Sequence, residues 1–127
     1  MRYALLNLVA CPMCKHFPLE LYVFETREDV KTYNVSKPFC DFYCGYLRKN
    51  VRDLEEEPPC EECLKKEIVA GVLYCPHCGR WYPIINGVPL MYPDDKRKHP
   101  RVAKREKEFI LKYKDMFPEK LRSKITF

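Results

Sequence analysis

Eight cysteines fall in four close pairs, Cys11/Cys14, Cys40/Cys44, Cys60/Cys63 and Cys75/Cys78. Thiolates two or three residues apart can be presented to a single ion by one tight turn or one turn of helix, so the spacing suits metal ligation before a disulfide framework. The outer pairs resemble each other. CPMCKHFPLEL and CPHCGRWYPII share Cys-Pro-x-Cys, then a basic residue two places on, then an aromatic and an apolar strand. Two such turns read as pseudo-symmetric halves of one zinc knuckle, in which Cys11, Cys14, Cys75 and Cys78 form a closed four-thiolate tetrahedron. No position remains there for water or substrate, which marks a structural zinc that contributes to folding and not to catalysis. The inner cysteines Cys40, Cys44, Cys60 and Cys63 have three readings: a second zinc, two disulfides, the latter mainly for a hyperthermophilic source, or free buried thiols.

The elements that must position these turns follow from the patterning. Trp81 to Ile85 is a short apolar run that stops at Asn86-Gly87, the strongest short hairpin signal, and Val88 to Tyr92 reads as its return strand. Pro89 cannot donate to a central ladder, so the return strand belongs at a sheet edge, and an apolar edge invites a partner strand. Residues 2–10 read as a strand entering Cys11, Leu19 to Phe24 as a half-exposed strand, Thr26 to Asp29 as a polar turn, and residues 31–39 as extended chain. Steps of three and four between Phe39, Tyr43, Tyr46, Leu47 and Val51 predict a helix over Cys40 to Leu54, with Cys40 and Cys44 on one face. Cys60 to Ile68 opens a second helical turn before the strand Val72 to Tyr74. The fold class is therefore α+β. A small antiparallel zinc-knuckle sheet is built from both chain ends (1–30 and 68–93), with a cysteine-containing helical insertion (31–67) and a basic helical tail (94–127).

Charge is uneven along the chain. Residues 1–93 carry 11 Lys/Arg against 12 Asp/Glu, whereas residues 94–127 carry 12 against 6, so all of the net +5 resides in the tail. Val102, Phe109, Ile110, Tyr113, Met116 and Phe117 mark one apolar helical face, and Pro118 suits the first position of a further short helix. Two uses of the tail follow: an arm whose Lys96, Arg97, Lys98, Arg101, Lys104 and Arg105 contact RNA, or a helix packed on the body with a solvated basic face. With only Gly45, Gly71, Gly79 and Gly87 available, no glycine-rich phosphate or cofactor loop can be built. His16, His77 and His99 lack a paired nucleophile in a recognisable motif. Leu8-Val9-Ala10-Cys11 imitates a lipoprotein cleavage site, but few apolar residues precede it and Asn7 interrupts them; the expectation is a cytoplasmic protein, or a nuclear one in a eukaryote, that engages no membrane.

The start MRYALLNLVACP and the segment GVLYCPHCGRWYPIINGVPLMY resemble the two ends of the small zinc-binding activator subunit shared by several methyltransferases of archaea and eukaryotes. The resemblance spans roughly residues 1–24 and 68–93. It implies a non-catalytic chain that stabilises enzymes using S-adenosylmethionine to modify tRNA, ribosomal RNA and a translation release factor, with the S-adenosylmethionine held by the partner alone. It also implies that Cys11, Cys14, Cys75 and Cys78 ligate zinc. The run Ile84, Ile85, Gly87, Val88, Pro89, Leu90 and Met91 then faces a Rossmann-like catalytic subunit in a heterodimer. The competing class is a stand-alone RNA-binding zinc protein of the translation machinery, which the basic tail favours.

Overall fold

Residues 1–28, 37 and 39–123 are described by the computed structural model. Its main sheet is antiparallel, with strand order β1 (Glu20–Glu28), β4 (Lys66–Tyr74), β5 (Trp81–Ile85) and β6 (Val88–Pro89). The sequence KEIVAGVLY turns from charged to continuously apolar, as a strand covered on both faces requires, and Ile68, Ala70, Val72, Leu73 and Tyr74 are all buried. Asn86 (φ 50°) and Gly87 (φ 79°) make the turn that returns β5 into β6, which lies at the sheet edge as Pro89 demands. Thr26, Arg27 and Glu28 continue β1 instead of turning, paired with Ile68, Glu67 and Lys66. Asp29 and residues 31–36 lie outside the described residues, as does residue 38.

Register shifts in β1 on either side of Glu25 leave Phe24 and Val69 without direct partners in the pairing. The extra residue moves the side chains around it to the other face. Ile68 consequently joins Met1, Leu6, Leu19, Leu21, Leu73, Tyr82 and Ile84 on one side of the sheet, whereas Ala70, Val72 and Tyr74 point to the other. Gly71 sits at this crossing, where a Cβ would lie 2.5 Å from the Tyr22 carbonyl oxygen. Backbone cannot yield as a side-chain tip can. Gly71→Ala is therefore expected to lower stability by about 1–3 kcal/mol in a urea melt, despite the better strand propensity of alanine.

The N-terminal run folds as a 3-10 helix over Tyr3–Asn7 and not as a strand. Its helical turn sends Leu6 into the core (1% exposed) and Leu8 into solvent (82%). The helix expected over Cys40 to Leu54 is also replaced. That stretch forms a two-residue ladder, β2 (Tyr43–Cys44) with β3 (Lys49–Asn50), followed by a 3-10 turn at Val51–Asp53. Arg48 at φ 58° closes the loop, and the Asn7 side chain accepts from the Phe42 and Tyr43 amides (3.1 and 2.8 Å) while donating to the Tyr43 carbonyl (2.7 Å). Asn7 thus acts as an extra strand for β2. The second helical turn of the insertion is present as α1 (Cys60–Lys65).

The tail consists of α2 (Asp94–Arg97), α3 (Pro100–Tyr113), a 3-10 turn at Lys114–Met116 and α4 (Glu119–Arg122), with Pro118 as the N-cap of α4 and not its first residue. Its apolar side covers the second face of the sheet. Phe109, Phe117 and Leu121 are buried against Ala70, Val72 and Tyr74, with Phe24 and Trp81 alongside. Among the described residues no helix is long and apolar enough to cross a membrane.

Candidate metal centre

The register of the sheet brings the outer cysteine turns together. Glu20, the first residue of β1, pairs with Tyr74, the last of β4, so the turn that precedes β1 and the turn that follows β4 meet at the same end. Both turns are held alike. The Cys11 amide donates to the His16 carbonyl and the Lys15 amide to Cys11; five and four residues apart again, Cys75 donates to Arg80 and Gly79 to Cys75. Lys15 (φ 66°) and Gly79 (φ 79°) occupy the matching left-handed position. The two-fold likeness legible in the sequence is thus a likeness of backbone.

The four sulfurs, Cys11, Cys14, Cys75 and Cys78, all lie within 4.8 Å of one another. Cross-turn separations are 3.6 Å for Cys11–Cys78 and 3.4 Å for Cys14–Cys75. A tetrahedron of thiolates about 2.3 Å from zinc has edges of about 3.8 Å, which lies between these cross-turn separations and the 4.8 Å bound, so the donor set fits zinc. Cys11 and Cys75 are fully buried. Burial resists ionisation of Cys11, but hydrogen bonds from the Tyr82 hydroxyl, the Cys14 and Met13 backbone and Cys78 outweigh it and bring the thiol down to about 6. Burial pushes Cys75 up to about 12, helped by Cys14 and Cys78. Four thiolates crowded together do not all ionise without a cation among them. Tyr82, wholly buried with its hydroxyl 3.3 Å from Cys11 Sγ, supports the centre from beneath, a role its place in an apolar strand does not announce. His16 and His77 stack across the two turns at 5.7 Å, and the His99 ring accepts from the Arg101 amide to cap α3.

All four inner cysteines line one small cavity between the β2–β3 hairpin and α1, and all eight cysteines of the chain are free of disulfides.

The run assigned to a partner divides. Ile84 and Leu90 are buried in this chain (0% and 6% exposed), Met91 packs on the same core, and Ile85 packs beneath the tail. Alternation in β5 and the hydrogen bond from the Leu90 amide to the Pro83 carbonyl turn these side chains inward. Val88 remains 55% exposed at the edge, with Pro89 and Gly87 partly covered beside it. A separate apolar lip, outside the expected run, carries Leu8, Phe39 and Phe42 at 82%, 46% and 66% exposure.

The tail cations divide as well. Arg97 does not face outward. Its guanidinium pairs with Glu106 at 2.9 Å, donates to the Trp81 carbonyl at 2.7 Å and stacks over the Trp81 ring. Lys96, Lys98, Arg101, Lys104 and Arg105 are exposed. Arg80 joins the knuckle to α2 through Asp94 (2.7 Å), and Lys120 joins α4 to Glu20 (2.8 Å), so part of the tail's charge docks it on the body.

No curated protein gives a significant match to the chain. The Trm112p-like protein family matches residues 2–87, a stretch that holds all four cysteine pairs and the Asn86-Gly87 turn, and the chain belongs to that family.

Proposed function

We propose that this chain is the non-catalytic activating and stabilising subunit of S-adenosylmethionine-dependent methyltransferases that act on tRNA, ribosomal RNA or a translation release factor. The family match over residues 2–87 carries the reading, because the Trm112p-like family is one of methyltransferase activators. In this reading Cys11, Cys14, Cys75 and Cys78 hold one structural zinc, whose chemistry is to cross-link the two turns and nothing more. The catalytic subunit, a Rossmann-like enzyme in a heterodimer in the cytoplasm or nucleus, binds S-adenosylmethionine. This chain covers an apolar surface of that enzyme.

Two features favour a contact at the free edge of the sheet. At the opposite edge β1 is bulged and carries Glu25, Arg27 and Glu28, which blunt it against pairing. At β6 the edge is uncharged and apolar, with Val88 projecting.

Co-expression with a candidate methyltransferase tests the reading. The enzyme alone is expected to be poorly soluble and at least tenfold less active, equivalent to about 1.4 kcal/mol or more. Val88→Asp should abolish co-purification while leaving bound zinc unchanged; Leu90 is unsuitable for this purpose because a charge there would disrupt the core. Full activity of an enzyme made without this chain would refute the proposal. Tight RNA binding that weakens steeply with salt would instead favour the exposed tail cations as the working surface.

A further inference from the structure

We propose that Cys40, Cys44, Cys60 and Cys63 form a second tetrathiolate zinc site, independent of the outer four, that holds the insertion together. The four thiols come from two elements that each offer a pair. Cys40 lies just before β2 and Cys44 is its last residue, and Cys60 and Cys63 occupy the first turn of α1. Their spacings, three and two intervening residues, are those of structural zinc pairs. All four line one cavity of about 20 Å³ whose remaining walls are apolar, among them Tyr3, Val51 and Leu64. That volume admits one water-sized body, yet a water there would lack polar partners other than sulfur. The Phe39 amide donates to Cys60 Sγ at 3.4 Å, so this sulfur already sits within the local hydrogen-bond framework.

The local architecture needs such a link. A ladder of two residues per strand and a helix of six residues are both marginal alone. Among the described residues of this segment, Cys44, Gly45, Pro58 and Cys60 are the buried ones, so it has almost no apolar core. The outer thiols are the one set among the described residues already within 4.8 Å of each other. The inner four surround their cavity more widely, and an ion would draw hairpin and helix inward. Fixing this loop would also fix Phe39 and Phe42, which sit on either side of Cys40 and supply the exposed apolar lip.

The site can be tested on the full chain purified with zinc, in parallel with and without reductant. Elemental analysis should give two zinc ions per chain. Native alkylation with a maleimide, mapped by mass spectrometry, should leave Cys40, Cys44, Cys60 and Cys63 protected until a chelator is added. The double variant Cys40→Ser/Cys63→Ser should retain one zinc and protected outer cysteines. Should that variant fail to fold, stoichiometry and alkylation of the natural chain still decide. One zinc per chain with the inner thiols freely alkylated would overturn the proposal, and so would a four-hydrogen mass deficit that reports two disulfides. Both leave the outer site and the activator role untouched, since the outer thiols are mapped separately.

Discussion

Removing zinc from the outer site is expected to unfold the sheet. Structural zinc contributes on the order of 10 kcal/mol or more at neutral pH, against a total stability of about 5–15 kcal/mol for a domain of this size. Cys11 and Cys75 are members of the main core, packed among Leu19, Leu73 and Tyr82, so their turns and the core cannot come apart separately. Cys14→Ser and Cys75→Ser, made on different turns, should each remove the same single zinc equivalent and abolish the cooperative thermal transition followed by near-ultraviolet circular dichroism. The measurement discriminates well because the two residues are 61 positions apart in sequence and 3.4 Å apart at sulfur. If the two variants lost different ions, the nested pairing of the turns would be wrong. If a chelator removed the metal and left the transition intact, zinc would be incidental to folding.

How far this centre was legible in the sequence depends on which physical feature each part rests upon. The Cys-Pro-x-Cys turns were legible because ligand spacing and left-handed backbone are local properties, and Lys15 and Gly79 take the same conformation within the same hydrogen-bond pattern. Asn86-Gly87 was legible for the same reason. The run 2–10 was not. Its apolar residues fit a strand as well as a short helix, and the choice is made by Asn7, whose side chain bonds to Tyr43 more than thirty residues away. The helical steps between Phe39 and Val51 misled in a similar way: the stretch is held by Asn7 through the Phe42 and Tyr43 amides, and Phe39 and Leu47 lie exposed instead of joining one buried helical face. The resemblance places Ile84 and Leu90 against a partner, and the sequence does not disclose that this chain covers both of them itself. Here the first face is covered by the N-terminal turn and the second by the tail.

Because the tail completes the core, a cavity beneath it is expected to destabilise the whole chain. Phe117 is 3% exposed and meets Phe24 (5.2 Å), Trp81 (5.9 Å) and Phe109 (5.9 Å) in edge-on arrangements. Truncating such a ring costs about 3–5 kcal/mol through lost transfer energy and residual cavity, with a further contribution from ring geometry. Phe117→Ala should therefore lower Tm by on the order of 10–20 °C. Lys104→Glu with Arg105→Glu should leave Tm nearly unmoved, because both side chains are exposed and the Lys104 ion pair is a surface one, with Glu108 at 4.0 Å. The contrast separates the two uses of the basic tail. An arm reserved for RNA would tolerate loss of Phe117 and respond to reversal of its charges only in binding, whereas a structural cover responds first to the ring. An unchanged Tm for Phe117→Ala would mean that α3 and α4 do not hold the second face of the sheet in solution, leaving Ala70, Val72 and Trp81 there for a partner to cover.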